Sequence, residues 1–566
     1  MKNIFKMKNI KLIIILGALS LVPVGCMKDV LDVSPQGQLA EGSLASTSVV
    51  DKLVVASYQA LGAHFFGNDE SFAGPSTNWI IDVRSDDAYK GGGGINDRTD
   101  IHQLEIASMD ATNFACAQKW RNPLFGIART NYAIREIAKL TDATYPKVIR
   151  TAEMRLLRGY FHFDLKRNFN QIPYLLEDTD PTAASNKAKS SDDNWALIEK
   201  DFQFAFDNLP LKNEAIGRMN KYIAAGMLAK LYIERGQWDK AIEKCNVVIG
   251  GPFALLPEFE ALSSVDFENG PETIMAIQFS TANNFANHNW SNLLNVTRST
   301  GIASGGYANG DDFYLASQNL ANAFKTGADG LPLFDNFNTA GGDVTDAFYS
   351  GTLDPRIDFT FGRIGIPWKN SAIYTDSWLR STDYGGGFSG KKHLVSPKDP
   401  KVHNSFPWGA SGLNFQVIRL GEVLLWKAEA LIESTTQSNL EEARTLINKV
   451  RTRAKTSTYV KKLDGSGNAA NYLVNPYPSV NWAKDYARKA VRFERRLELA
   501  MEGNRFYDLL RWANVSQTMN EYYTTEGKKR TFMAGAKFQA GKHEYLPIPQ
   551  SEIDLSPTLY SQNPGY

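Results

Sequence analysis

From residue 47 onward the apolar side chains return every three or four positions in long blocks, the spacing that lines one face of an α-helix. The blocks predict helices over about 47–61, 113–140, 147–169, 192–208, 219–235 and 238–249. Met154, Leu157, Phe161 and Leu165 show the spacing within one of them. The short stretch between the second and third blocks predicts an antiparallel pair. Helical periodicity then stops and resumes at about 416–434, 440–455 and 484–513. Between 251 and 415 stand short apolar runs, such as Thr273 to Phe279, separated by glycine-rich turns. The pattern is that of a mostly α protein, with a helical scaffold over 47–250 and 416–566 and a loop-rich region in between. Loops carried on a rigid scaffold are where ligand contacts concentrate, and long irregular stretches inside a compact domain usually have a function.

Two helical blocks carry a finer pattern. Ala229, Tyr232, Gly236, Trp238 and Ala241 follow the offsets of a tetratricopeptide helix-turn-helix. The small residues let the helices approach, Tyr232 and Trp238 fill the gap, and Gly236 permits the turn. Ala428 and Ala443 mark a weaker relative with a longer turn. The charged run Arg492 to Glu498 predicts a helix with Phe493, Leu497 and Ala500 facing the core, its charges pairing at three- and four-residue spacing and fixing neighbouring loops and chain ends.

The start of the chain reads as an address. Lys2, Lys6, Lys8 and Lys11 precede the apolar run Leu12 to Val22, which ends at Gly25 and Cys26. This is the pattern of a secretory signal peptide over 1–25, too short to span a bilayer. Gly25-Cys26 matches a lipobox in which Cys26 becomes the acylated first residue, although Pro23 departs from the usual pattern. Residues 26–46, polar and punctuated by Pro and Gly, predict a tether. The signal carries four lysines and no acids, so its removal takes the net charge from +1 to −3. No basic excess is left for bulk attraction to nucleic acid. Cys116 and Cys245 are too few for a disulfide framework and are expected to be buried thiols.

Chemistry is hard to find. None of the seven histidines, His64, His102, His162, His288, His393, His403 and His543, pairs at a metal-binding spacing, and neither metal nor cofactor is expected. Gly385 to Lys392 approaches a phosphate loop without its Ser or Thr, and Gly91 to Gly94 lacks dinucleotide-binding spacing. Asp86-Asp87 is the best local candidate for a carboxylate pair. What stands out instead is a set of aromatics outside any helical stripe: Trp79, Tyr89, Trp290, Tyr307, Trp368, Trp378, Tyr384 and Trp408. Sugar rings stack their C–H faces on such side chains, while neighbouring Asp, Asn or Arg engage the hydroxyls.

Taken in order along the chain, several segments resemble the SusD/RagB family of Bacteroidetes outer-membrane lipoproteins. They are Cys26 with Asp29 and Leu31 to Pro35; Trp120 with Ile127 to Asn131; RLLRGYFHFDLKRNFNQIP at 155–173; LAKLYIERGQWDKA at 228–241; Asp354-Pro355-Arg356; IRLGEVLLWKAEAL at 418–431; ERRLELAMEGNRFYDLLRW at 494–512; and YLPIPQSEI with the closing QNPGY. The resemblance covers nearly the whole chain after the signal. It implies one SusD-like domain over 47–566, built of tetratricopeptide-like helical pairs. It also implies non-catalytic capture of an oligosaccharide or polysaccharide at the cell surface and delivery to a SusC-like TonB-dependent transporter. Peptide binding, as in the RagB branch, and a surface glycoside hydrolase are the alternatives. Trp290 is the first choice for a stacking residue, with Asn289 and Asn292 beside it. Trp79, Asp86 and Asp87, with Arg84 orienting their loop, come from a second region that contacts ligand in relatives. Tyr307, Trp368 and Trp378 complete the set.

Overall fold

The computed structural model describes residues 46–62, 79–187, 191–281, 289–298, 310–369, 371–399 and 411–566, and for 191, 192, 290, 291 and 293 the backbone alone. The signal, Cys26, Tyr307 and Trp408 lie outside the described residues.

The scaffold helices are α1 (Thr47–Gln59), α2 (Phe114–Lys139), α3 (Lys147–Phe169), α4 (Ser191–Asn208), α5 (Lys221–Glu234), α6 (Trp238–Ile249), α7 (Leu420–Glu433), α8 (Leu440–Thr456), α9 (Lys484–Glu498), α10 (Arg505–Arg511) and α11 (Val515–Glu526). Side-chain caps open many of them: Ser46, Asn113, Asn220 and Asn439 accept the first free amides of α1, α2, α5 and α8. From α1 to α8 each helix packs on the next, and α9 closes over α7 and α8. Close approach is built in where α2 meets α3. A Cβ on Gly126 would lie 2.5 Å from the ring of Phe161. Gly236, at φ +64° in the turn between α5 and α6, supplies the left-handed residue that the tetratricopeptide pattern requires. Ala229, Ala241, Ala428 and Ala443 are fully buried at the helix contacts.

The expected helix over 416–434 begins as a strand. β6 (Phe415–Arg419) pairs antiparallel with β2 (Thr273–Ile277), and α7 starts only at Leu420. The ladder ties together the two ends of the loop-rich excursion that separates α6 from α7. Within that excursion β3 (Phe313–Ala316) pairs with β1 (Ala88–Gly91), and β4 (Pro367–Trp368) with β5 (Ala372–Ile373). The expected helix over 484–513 is broken into α9 and α10. Between them Met501 and Gly503 take left-handed backbone angles, φ +61° and +73°. The break brings Glu502 within 2.8 Å of Arg419, the residue that ends β6.

That contact belongs to a buried ion network. Arg356 pairs with Asp354, Glu494 and Glu498 at 2.8, 2.7 and 3.0 Å. Arg419 pairs with Glu272 and Glu498 at 3.1 and 2.6 Å, Arg451 with Glu494 at 2.8 Å, and Arg453 with Glu272 and Glu498. Lys392 pairs with Glu502. The charges of Arg492 to Glu498 are therefore structural, as the sequence suggests, but they pair across the fold rather than along their own helix. Glu494, Arg495, Arg496 and Glu498 are all buried.

Burial alone would raise the Glu498 carboxyl, but Arg453, Arg419 and Arg356 outweigh it and hold it at about 2. Arg419 and Lys392 do the same for Glu502, also at about 2. Both values lie below those of the unfolded chain, so this stabilisation is complete above about pH 4.5 and is lost as the pH falls toward 2. We expect the melting temperature to drop across that window. Glu498→Gln should cost about 3–5 kcal/mol at neutral pH, because three guanidinium groups lose a counter-charge, and should flatten the acid slope. Chemical denaturation of both proteins from pH 7 to pH 2 measures it; a variant as stable as the wild type at pH 7 would refute the role given to Glu498.

Candidate functional site

β2 and β6 end together, and the chain on either side of that end is tied down by amides. Asn414 Oδ1 accepts the Phe279 amide at 2.7 Å, and Asn414 Nδ2 donates to Gln278 Oε1 at 3.1 Å. Gln278 and Asn269 exchange two hydrogen bonds, 2.8 and 3.0 Å. Asn289 donates its backbone amide to Ser411 O and its side-chain amide to Leu413 O, both at 2.9 Å. Gly62, at the end of the short 3-10 turn after α1, lies against the ring of Phe279. Gly62, Thr281, Asn289 and Ser411, which border segments 63–78, 282–288 and 400–410, therefore meet near the open end of the β2–β6 ladder.

Beside it runs a groove of about 550 Å³. Its walls are Val55, Tyr58 and Leu61 on one side, Ala215 to Arg218 on another, and Ala276 to Ser280 on the third. The surface is largely apolar, with Ile216 and Val55 well exposed on it. Its one charged lining residue, Arg218, is matched by carboxylates: Glu153 at 2.8 Å and Glu214 at 3.3 Å. Tyr58 donates its hydroxyl to Glu153 and accepts the Met219 amide. Burial first, then the Glu153 charge, pushes its phenol well above the ordinary value. The groove thus offers apolar faces and uncharged amide and hydroxyl groups, and no uncompensated ion.

Five of the predicted contact residues do other work. Trp79 opens a short helix, Trp79–Asp82, and is buried, with its ring 5.9 Å from that of Tyr314 and 6.3 Å from that of Phe313. Asp86 and Asp87 are not on a solvated turn. Asp86 takes a two-pronged bond from Arg505 at 2.8 and 2.9 Å, and Asp87 accepts from Arg496 at 2.7 Å. Burial would raise Asp86, yet Arg496 and Arg505 bring it down to about 2. Arg84, expected to orient their loop, is buried over the ring of Phe506 and donates to His543 O. Trp368 and Trp378 are buried 5.6 Å apart with Tyr374 in a small second core, away from Trp79. That core also contains Val296 and Leu413, so it packs under the segments that Asn289 ties together.

Tyr89 and Tyr384 are buried as well, their hydroxyls bonded to Glu526 and to His102 with Glu105. The phosphate-loop-like stretch is structural, with Lys392 in the ion network and Lys391 donating to Asp358 O and Pro367 O. Cys116 and Cys245 are buried free thiols, as expected.

Trp290 opens a 3-10 turn, Trp290–Asn295, directly after the anchored Asn289; its side chain lies outside the described residues. Its neighbours are committed elsewhere. Asn289 holds the 411–413 segment, and Asn292 donates to His393 O at 3.2 Å. Sequence reading missed Gln278, Asn269, Asn414 and Tyr58, because the amides are uninformative singly and come together only through a ladder joining residues about 140 apart.

Comparison with known proteins completes the description. A family model described as the SusD family matches residues 271–566, and one described as starch-binding associating with outer membrane matches 29–233. SusD-like protein P2 of Formosa agariphila is 25% identical over 571 residues, covering 99% of this chain and 100% of the relative. A SusD-like protein of Bacteroides ovatus is 22% identical over 577 residues, covering 98% and 91%. Among solved structures, a laminarin binding SusD-like protein superposes with a TM-score of 0.66 at 22% identity, covering 92% of this chain and 100% of that one. Surface glycan-binding protein A from Bacteroides thetaiotaomicron in complex with laminarihexaose gives 0.63 at 18% identity, covering 91% and 99%. These likenesses extend over the helical scaffold and the loop-rich excursion together, and bear out the mostly α reading.

Burial gives Trp368 a packing role, which a single substitution checks. Trp368→Ala should cost about 3–5 kcal/mol of stability. Unchanged unfolding with lost ligand binding would instead restore it as a contact residue.

Proposed function

The chain belongs to the SusD family, and we propose that it captures an oligosaccharide or polysaccharide at the cell surface without chemistry and passes it to a SusC-like TonB-dependent transporter. The observation that carries this reading is the groove at the end of the β2–β6 ladder. Its apolar walls suit the C–H faces of sugar rings, and the Gln59 and Gln278 amides on its lining suit their hydroxyls. A glucan of the laminarin kind, named for one relative, is the first ligand to try.

Capture without catalysis is supported by the fate of Asp86 and Asp87. Both are buried and held by arginines, a poor state for a general acid and base acting on a ligand. The helical scaffold acts in this reading as support for a lid on the transporter barrel. Cys26, acylated after removal of 1–25, anchors the chain to the outer membrane, and 26–46 form the tether.

Trp290 is the proposed stacking residue, with Tyr307 as a second aromatic. Its place in the chain favours it, because its backbone is one residue from Asn289, which is tied to the 411–413 segment that leads into β6. A screen of purified protein against polysaccharides and peptides tests the ligand class, and binding to peptides alone would sink the glycan reading. Trp290→Ala should then weaken the glycan roughly tenfold or more, about 1.4 kcal/mol at least, with an unchanged melting temperature. A destabilised variant of undiminished affinity would show that Trp290 is a packing residue. Cys26→Ala should release the protein from the membrane fraction, and continued sedimentation with membranes would place the anchor elsewhere.

A further inference from the structure

Two apolar side chains on the lining of the groove stand largely in water, Val55 on the α1 wall at 56% exposure and Ile216 on the 215–218 wall at 78%. Each forgoes free energy that burial would return. The turn that carries Ile216 nevertheless holds it out. Asn213 Nδ2 donates to Glu153 Oε1 at 2.7 Å and to Met219 O at 2.8 Å, while Asn213 Oδ1 accepts the Glu214 amide at 2.8 Å. Arg218 donates its side chain to Glu153 Oε2 at 2.8 Å and its amide to Ala215 O at 3.3 Å. Gly217, between them, takes φ +84°, and a Cβ there would lie 2.6 Å from Cγ of Gln278. Both the left-handed angle and the close approach call for glycine.

Glu153 is fully buried on α3 and also accepts from Tyr58 and Arg150. One carboxylate therefore ties the α1 wall, through Tyr58, to the 215–218 wall, through Asn213 and Arg218. Gly217 sets that second wall against the third, at Gln278. All three walls are joined by contacts within the chain, so the groove keeps its width without a ligand, and Ile216 needs no ordering to make a contact. Preorganisation of this kind favours binding, because the cost of ordering is met on folding.

The chemistry of the two exposed side chains sets what they accept. Val55 and Ile216 offer no hydrogen bond, so a hydroxyl pressed against either is desolvated without replacement. A pyranose ring whose hydroxyls are all equatorial presents C–H groups on both faces. An axial hydroxyl puts an oxygen on one face. We infer that the Asn213–Arg218 turn is a rigid clip whose Ile216, with Val55 on the α1 wall, grips both faces of a sugar ring and so selects glycans with equatorial hydroxyls. Asn213 is the positioning residue, acting through Ile216. The inference rests on the proposed glycan capture and adds to it the class of sugar and the side chains that choose it.

Calorimetric titration of the full chain tests the clip with laminarihexaose and cellohexaose, whose rings carry equatorial hydroxyls, and with mannohexaose and galactohexaose, whose rings each carry an axial one. At least one of the first pair should bind about tenfold or more tighter than either of the second, the effect of one contact of buried-side-chain size. Tighter binding of an axial sugar would overturn the selection. Ile216→Ala should erase that preference at an unchanged melting temperature, and Ile216→Leu should keep the affinity within about twofold. Asn213→Ala should weaken binding in the wild type and cost nothing further in Ile216→Ala, since a residue acting only through Ile216 has nothing left to position; additive losses would remove its role. Phe348→Ala, at an equally exposed side chain outside the groove, should change nothing, and a loss there would show that any exposed apolar group serves. If Ile216→Ala binds as the wild type does while Gln278→Ala is weakened, the clip is wrong and the groove stands. If both bind as the wild type does, the groove reading falls, and binding of none of the four sugars would take the clip with it.

Discussion

The fold hangs on one buried constraint, the mutual neutralisation of Arg356, Arg419, Arg451, Arg453 and Lys392 by Glu272, Asp354, Glu494, Glu498 and Glu502. Five positive and five negative groups balance, and they come from β6, α8, α9 and four connecting segments, one of them ending at Glu272 just before β2. Such a network is a modest source of net stability, since desolvation offsets most of the attraction. As a constraint it is severe, because any shift of one member leaves an uncompensated charge in the interior, at a cost of several kcal/mol. Glu272 and Arg419 flank the β2–β6 ladder, so the network fixes its register as well as the helices. The groove beside the ladder's open end inherits that rigidity.

α9 is the hub. Glu494 and Glu498 face the network, Arg495 reaches Asp508 of α10 at 2.8 Å, and Arg496 reaches Asp87 at 2.7 Å. One helix therefore locks the last scaffold pair, the chain's final third and the loop after Trp79 to one another. This explains why a helix so rich in charge is buried. α9 ends at Glu498, and the turn that follows, with Met501 and Gly503 in left-handed backbone, places Glu502 against Arg419 and Lys392.

The helices were legible because burying one face of a helix leaves a local period. All six of the helices expected before residue 250 are present to within two residues or so, and the Gly236 turn is present with its left-handed residue. Two things were not legible. The switch from β6 to α7 falls inside a continuous apolar run, FQVIRLGEVLLW, where both states bury the same residues. The role of the aromatics depends on what lies above them, which a local pattern does not record. Trp368 and Trp378 fall outside any helical stripe and are still core, because an irregular excursion needs a core of its own and builds it from large rings. Asp86 and Asp87 misled for the same reason, since the arginines that bury them lie about 410 and 419 residues away.

What the interior does with charge bears on what the surface is left to do. Asp86, Asp87, Glu494, Glu498 and Glu502 are each bound to an arginine or lysine and serve the architecture. The groove receives amides, hydroxyls and apolar walls, groups that hold a ligand by shape and by many weak bonds. Binding of that kind is readily reversed, as the proposed delivery to a transporter requires.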